Sequence, residues 1–172
     1  MIFLFALFLA QAACTGCHGD DGNSKTANIP SLAGQPEFFI LNQLFLMREG
    51  VRKVDVMGSV VKDLRDADIE VISKYFARLE PRASDETIDP VLVKRGSELA
   101  VTLRCTSCHL PTLAGRQQMP RLAKQRVDYL IRSLKEFRDN KRIGADTFMS
   151  NAVAGVPDAD LTALAHYAAS LN

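Results

Sequence analysis

The pentapeptide Cys14-Thr15-Gly16-Cys17-His18 recurs in the second half of the chain as Cys105-Thr106-Ser107-Cys108-His109. Together these motifs contain all 4 cysteines of the 172-residue sequence and all but one of its 3 histidines. Each motif places two thiols three positions apart, with an imidazole directly after the second thiol. The chain therefore offers the same set of reactive groups twice.

The similarity between the two halves extends well beyond these motifs. Matched pairs follow in the same order: Pro30 with Pro120, Gln35 with Gln125, Phe39 with Tyr129, Arg48 with Arg138, Arg52 with Arg142, Met57 with Met149 and Tyr75 with Tyr167. So many ordered matches indicate a duplication. A polar stretch bracketed by prolines at 81–90 is typical of a linker. We therefore predict domains at 1–80 and 91–172, each small enough to need a cofactor in its core.

Hydrophobic periodicity predicts helices in both halves, with no clear alternating strand pattern. Three helices are predicted at Glu37–Arg48, which is followed by the stop signal Gly50, at Val91–Leu103 and at Val127–Arg138. A fourth is predicted from a cap at Asp66 to Leu79, and a fifth from Pro157-Asp158 to Leu171. The expected fold class is therefore all-α, with the same arrangement used twice.

Composition excludes several classes of protein. Apolar residues make up 47% of the chain and charged residues 24%, which is typical of a globular protein. The net charge of +1 argues against nucleic-acid binding. The charge is uneven, since residues 1–80 carry 8 Lys+Arg and 10 Asp+Glu (net −2), and residues 81–172 carry 13 and 10 (net +3).

The N-terminus allows two interpretations. Residues Ile2 to Ala10 are all apolar, but a bilayer span needs about 20 such residues. The stretch resembles the core of a secretory signal with cleavage after Ala12, which would leave residues 1–12 as a signal remnant, although the usual basic leader is missing. The alternative is a buried first helix at 2–13.

Cys-x-x-Cys-His is a signature of covalent haem attachment. Each thiol adds to one vinyl group of the porphyrin, and the adjacent histidine becomes an axial ligand of the iron. A zinc site is less consistent, because its second cysteine pair typically follows within about 20 residues. A thioredoxin-type redox pair needs a βαβ context that the pattern lacks. We expect two covalently bound haem c groups, attached at Cys14 and Cys17 and at Cys105 and Cys108.

The axial ligands are predicted from the repeat. His18 and His109 supply the first, and Met57 and Met149 the second, because they are the methionines that match across the halves. His/Met ligation raises the reduction potential of a haem. Met47 and Met119 lack a matching methionine and are interpreted as packing residues. The third histidine, His166, is interpreted as structural or exposed.

Two further pairs are candidates for supporting each haem. The carbonyls of Pro30 and Pro120 are placed to accept a hydrogen bond from the ligand histidine, the alternative being an ordinary turn proline. The repeated arginines are candidates for pairing with haem propionates or, equally, for a solvated helix end. These arginines are Arg48, Arg52, Arg138 and Arg142.

The pattern Cys-x-x-Cys-His, then Ile29-Pro30-Ser31-Leu32-Ala33-Gly34-Gln35, then a helix ending in arginine, then Met57, resembles the class I cytochromes c. Two such units in one chain resemble the dihaem cytochrome c4 family. The resemblance implies two tandem helical domains related by a pseudo-twofold axis. It also implies a glycine, here Gly96, where the first and last helices of a domain cross. The second half departs from the pattern at Lys124, which stands at the position equivalent to Gly34 of the first half.

The resemblance implies a periplasmic one-electron carrier rather than an enzyme, with peripheral membrane association left open. Its expected partners are redox proteins: a quinol-oxidising complex or dehydrogenase as donor and a terminal oxidase or another protein as acceptor. The alternative is a cytochrome subunit of a larger enzyme, such as a flavocytochrome c sulfide dehydrogenase. A dihaem peroxidase is disfavoured, because Met57 and Met149 would fill the coordination position that such an enzyme opens.

Overall fold

The computed structural model describes residues 13–142 and 147–172. Within these ranges every regular element is a helix, apart from one isolated bridge between Arg116 and Met119. A helical turn at 13–18 precedes α1 (Glu37–Arg48), α2 (Asp55–Val61) and α3 (Asp66–Arg78). The second half contains α4 (Pro90–Thr102), α5 (Cys105–His109), α6 (Val127–Arg138), α7 (Thr147–Ala152) and α8 (Asp158–Ser170). The all-α prediction is confirmed.

Each half has its own apolar core, built from equivalent helices. In the first half α1 packs against α3 and buries Ile40, Leu44 and Phe76 between them. In the second half both α4 and α6 pack against α8, with Leu130 and Leu161 buried. The duplication in the sequence is thus a duplication of packing, because α1 corresponds to α6 and α3 to α8.

The crossing of α4 and α8 depends on Gly96. A Cβ atom at this position would overlap the carbonyl oxygen of Ala163 and come within 2.7 Å of the Cβ of Tyr167. Only hydrogen at residue 96 lets the two backbones approach this closely. The sequence expectation of a glycine at the crossing of the first and last helices is met here.

Local chemistry explains where the helices begin and end. The side chain of Asp89 accepts a bond from Val91 N at 2.8 Å and Pro90 occupies the first turn, so α4 starts there. The chain leaves α1 through Gly50, which has a φ of 70°. The prediction that Asp66 caps α3 was wrong. Arg65 is the capping residue, and its backbone N–H donates to Asp68 at 3.0 Å.

Three short helices were not predicted: α2, α5 and α7. They have 7, 5 and 6 residues, too few for a 3.6-residue periodicity to show in the sequence. Two of them carry the matched methionines, with Met57 on α2 and Met149 on α7. A helix fixes the position of these two methionines more firmly than a loop would.

The two interpretations of residues 1–12 concern residues outside the described ranges. The connection at 79–89 is not helical, in keeping with the predicted linker. Arg126, which is 5% exposed, ties this connection and the first half to the second half. It donates to Asp85 at 3.0 Å and to the carbonyl of Ser24 at 3.3 Å. The boundaries at 80 and 91 stay predictions.

Candidate functional site: two matched cysteine–histidine centres

The four cysteines occupy equivalent places in the two halves. Cys14 and Cys17 lie in the helical turn at 13–18, and Cys105 and Cys108 lie in α5. None of the four forms a disulfide bond. In each pair the first cysteine is the less exposed: Cys14 is buried and Cys105 is partly buried, whereas Cys17 and Cys108 are exposed. Burial, with a smaller effect from Cys17, raises the pKa of the Cys14 thiol, and burial likewise raises the pKa of Cys105. Each turn therefore presents two cysteine thiols three residues apart, neither of them in a disulfide bond.

The two histidines are buried and oriented in the same way. Their Nδ1 atoms lie 2.8 Å from the carbonyl oxygen of Pro30 for His18 and 2.9 Å from that of Pro120 for His109. A carbonyl only accepts, so each Nδ1 carries the proton and each Nε2 keeps a free lone pair. Burial lowers the pKa of both rings, which favours the neutral form that binds metal ions.

The matched methionines lie in equivalent apolar surroundings. Met57 is half-buried against the core of the first half, and Met149 is half-buried against a core cluster of the second. Met47 is buried in the core, as its interpretation as a packing residue requires. His166 is partly exposed, and its Nδ1 accepts from Asp89 N at 3.2 Å, which is a structural role at the start of α4.

A pair of cations lies where the two halves meet. Arg52 donates to Gln43 Oε1 at 2.6 Å and also bonds the hydroxyl of Tyr129. Burial, then the charge of Arg142, lowers the pKa of Arg52. Burial raises the pKa of Tyr129, but the charges of Arg142 and Arg52 outweigh it and bring that pKa to about 7. Among the described residues, no carboxylate forms an ion pair with either guanidinium, and only the more distant charge of Glu136 acts on Arg52, so the cluster keeps an excess of positive charge that favours an anion.

The other repeated arginines have a different role. Arg48 donates from Nη1 to Leu64 O at 3.0 Å and to Asp66 at 2.7 Å. Arg138 makes the equivalent bonds to Val156 O and Asp158. Each ties the end of one helix to the start of the last helix of its half. Arg48 and Arg138 are therefore engaged within the protein, and only Arg52 and Arg142 remain candidates for pairing with the haem propionates.

The donor set suits a covalently attached haem in each half. Each half combines two thiols outside any disulfide on one helical turn, a buried neutral imidazole with Nε2 free and a thioether on a second element. The two halves share the cluster of two arginines without an ion-paired carboxylate, which matches the carboxylates at the edge of a porphyrin. No group of three His, Cys, Asp or Glu side chains that suits a metal ion occurs among the described residues.

Two features of the site were missed in the sequence. In the sequence Tyr129 is only the counterpart of Phe39, and a single aromatic substitution does not indicate that its hydroxyl bonds to Arg52. Gln35 and Gln125 were noted only as a matched pair. The structure shows that each bonds to the backbone of the opposite half.

Comparison with known proteins identifies the family. The cytochrome c family model matches residues 93–172. Cytochrome c4 of Pseudomonas aeruginosa is 34% identical over 172 residues, covering 94% of this chain and 85% of its own. The chain belongs to the cytochrome c4 family. The crystal structure of reduced recombinant cytochrome c4 from Pseudomonas stutzeri superimposes with a TM-score of 0.87 at 32% identity, covering 96% of this chain and 98% of that one.

Other relatives belong to enzyme systems. The thiosulfate dehydrogenase electron acceptor of Thiomonas intermedia is 28% identical over 170 residues, covering 92% of this chain and 78% of its own. The cytochrome subunit of sulfide dehydrogenase from Chlorobaculum tepidum is 37% identical over 74 residues, covering 43% of this chain and 66% of its own.

Membership of the cytochrome c4 family settles the broad biochemistry. The protein carries two covalently bound haem c groups in two tandem cytochrome c domains. It is an electron-transfer protein rather than an enzyme. None of the helices formed by the described residues has the length and hydropathy needed to cross a bilayer.

Proposed function

We propose that each domain holds its haem with its own residues. Thioether bonds form at Cys14 and Cys17 in the first domain and at Cys105 and Cys108 in the second. His18 and Met57 bind the first iron, and His109 and Met149 the second. What supports this assignment is that both halves repeat the same four ligands on equivalent elements, with both imidazoles turned the same way by a proline carbonyl.

The surrounding residues then have specific tasks. The carbonyls of Pro30 and Pro120 fix the tautomer and the ring plane of each histidine, which raises its basicity as a ligand. Arg52 and Arg142 neutralise the haem carboxylates where the domains meet, because neither forms an ion pair with a carboxylate among the described residues. Burial of His18 and His109 keeps water from competing for the imidazole nitrogen.

We infer that the protein is a periplasmic one-electron carrier. When bound, each haem supplies an iron that alternates between its ferrous and ferric states. With a histidine and a methionine on each iron, no coordination position would be left for a substrate, which favours outer-sphere transfer to a docked protein. The periplasm is inferred because haem c attachment of this kind takes place outside the cytoplasm. The proposed donor is a quinol-oxidising complex or dehydrogenase, and the proposed acceptor is a terminal oxidase.

Electron paramagnetic resonance of the freshly oxidised holoprotein tests this function. Two six-coordinate centres predict low-spin ferric signals that account for all the iron. A high-spin signal from one centre in fresh protein would contradict the carrier and indicate an open coordination position.

A second candidate is a cytochrome subunit of a redox enzyme. Its support is the similarity to the sulfide dehydrogenase subunit and to the thiosulfate dehydrogenase electron acceptor. Gel filtration of a native extract separates the candidates. A free carrier predicts elution at the size of the chain alone, whereas a subunit predicts stable co-elution with a flavoprotein or another dehydrogenase.

A further inference from the structure

A single peptide group separates the ring of His18 from a side chain of the other domain. The carbonyl of this group, on Pro30, bonds His18 Nδ1 at 2.8 Å, and its N–H, on Ser31, donates to Gln125 Oε1 at 2.8 Å. Gln125 Nε2 in turn donates to the carbonyl of Ser31 at 2.8 Å. The amide of Gln125 thus holds Ser31 through both of its backbone polar groups.

The same arrangement is present in the opposite direction. His109 Nδ1 lies 2.9 Å from the carbonyl of Pro120, and the N–H of that peptide group, on Arg121, donates to Gln35 Oε1 at 3.0 Å. Gln35 Nε2 donates to the carbonyl of Arg121 at 2.9 Å. Each domain therefore lends one glutamine to the histidine segment of the other.

Burial strengthens the hydrogen bonds that the two glutamines make to the opposite domain. Gln35 and Gln125 are each 4% exposed, and Ser31 is 7% exposed. Water has little access to compete for these bonds, and hydrogen bonds in such surroundings are stronger than in solvent. An amide that is bonded at both its oxygen and its nitrogen also cannot rotate without losing both contacts.

A hydrogen bond at one end of a peptide group acts on the other end. Accepting the Ser31 N–H polarises the peptide group and makes the Pro30 carbonyl a better acceptor, because bonded chains strengthen one another. A stronger bond at Nδ1 makes the imidazole a more basic ligand. A more basic ligand stabilises ferric iron, and so lowers the reduction potential.

We propose that Gln35 and Gln125 are positioning residues for the axial histidine of the opposite domain: Gln125 acts on His18 through the Pro30–Ser31 peptide, and Gln35 acts on His109 through the Pro120–Arg121 peptide. This inference rests on the proposed function, in which both histidines bind iron. Its consequence is that the domain interface sets the two reduction potentials.

The test compares the holoproteins Gln35→Met and Gln125→Met. The reduction potential of each haem is followed by NMR during a redox titration, and the exchange rate of each Nδ1 proton is measured in the reduced state. In Gln125→Met the haem of the first domain is expected to rise in potential, and the His18 ring proton to exchange about five-fold faster. In Gln35→Met the same changes are expected at His109 and the second haem.

The crossed pattern separates positioning from general loosening. A variant that merely opens the interface would shift both haems together, and that result would overturn the proposal. So would a shift confined to the domain that carries the substitution, or no shift at all. Where a methionine variant fails to fold, Gln→Asn at the same position keeps an amide that is one methylene too short to reach the opposite backbone, and the same crossed pattern is expected.

Arg132→Lys is the matched control. It removes the guanidinium bond to the carbonyl of Asn28 across the same interface, keeps the charge and leaves both peptide groups untouched. Neither potential is expected to move. Failure of histidine ligation itself is distinguishable, because the unmodified holoprotein would then lack the low-spin ferric signals of two His-bound centres.

Discussion

At the scale of single residues, identical side chains four positions apart serve different purposes. Arg48 is satisfied by Glu49 and Asp66, whereas Arg52 is half-buried and lies beside a second cation, Arg142. The sequence could not separate them, because each has a matching arginine in the second half. Only the position of the carboxylates in space decides which arginine is left to bind an anion.

Replacing Arg52 by glutamine should lower the haem reduction potentials by tens of millivolts, because a nearby positive charge favours the reduced iron. Arg48→Gln is the control, since the charge lost there is already neutralised by its carboxylate partners. A spectroelectrochemical titration measures both variants. Equal potentials in Arg52→Gln and in the unmodified protein would exclude Arg52 from the haem environment.

Lys124 has the same left-handed backbone conformation as its counterpart Gly34, and glycine adopts this conformation with less strain. Both are left-handed, with φ of 58° for Lys124 and 63° for Gly34, and a side chain is strained in this region. Lys124→Gly should therefore raise the free energy of unfolding by about 0.5–1 kcal/mol, the relief of strain exceeding the entropic cost of glycine. Chemical denaturation of the holoprotein measures this, and a loss of stability would show that the lysine side chain makes a compensating contact.

At the scale of elements, the long helices could be predicted and the short ones could not. The bounds of α1 and α6 follow from periodicity and from the residues that end them, as predicted. The helices that carry Met57 and Met149 need tertiary packing to form, because 7 or 6 residues have little intrinsic helical stability. Their existence therefore lies beyond what local sequence can show.

The contact between α4 and α8 supplies a test of packing. Gly96→Ala should destabilise the protein by about 1–3 kcal/mol, because the added methyl forces the two helices apart at Ala163. Val101→Ala, on an exposed face of the same helix, is the control and should change stability little. Urea unfolding of the two holoproteins distinguishes them, and similar stabilities would show that the crossing is looser than the structure indicates.

At the scale of the whole molecule, the duplication predicted two similar domains but not how they join. Ordered matches such as Pro30 with Pro120 carry information about each half separately. The interface relies on bonds from Gln35, Gln125 and Arg126 to backbone carbonyls of the other half. Any residue has a backbone carbonyl, so such contacts leave no pattern in a single sequence.

Acid should weaken this junction. Asp128 accepts from the backbone N–H of Asn28 in the other half at 2.9 Å and pairs with Arg126. Burial raises the pKa of Asp128, but the bonds from Arg126 and Asn28 outweigh it and leave that pKa below 3.8. Its contribution is therefore present above pH 3.8 and is lost as the pH falls further.

Asp128→Asn should cost about 1 kcal/mol at neutral pH, and the difference from the unmodified protein should disappear in strong acid. Unfolding of the holoprotein over a series of pH values measures this. The exposed Asp63, replaced by asparagine, is the control. A constant difference at every pH would show that the charge of Asp128 is not what matters.

The claim on which the whole assignment depends is that Met57 and Met149 each bind one haem iron. The far-red charge-transfer band of methionine sulfur on ferric iron reports this ligation directly. We expect Met57→Ala and Met149→Ala each to lose about half of the band, and the double variant to lose all of it. A full band in either single variant would contradict the claim.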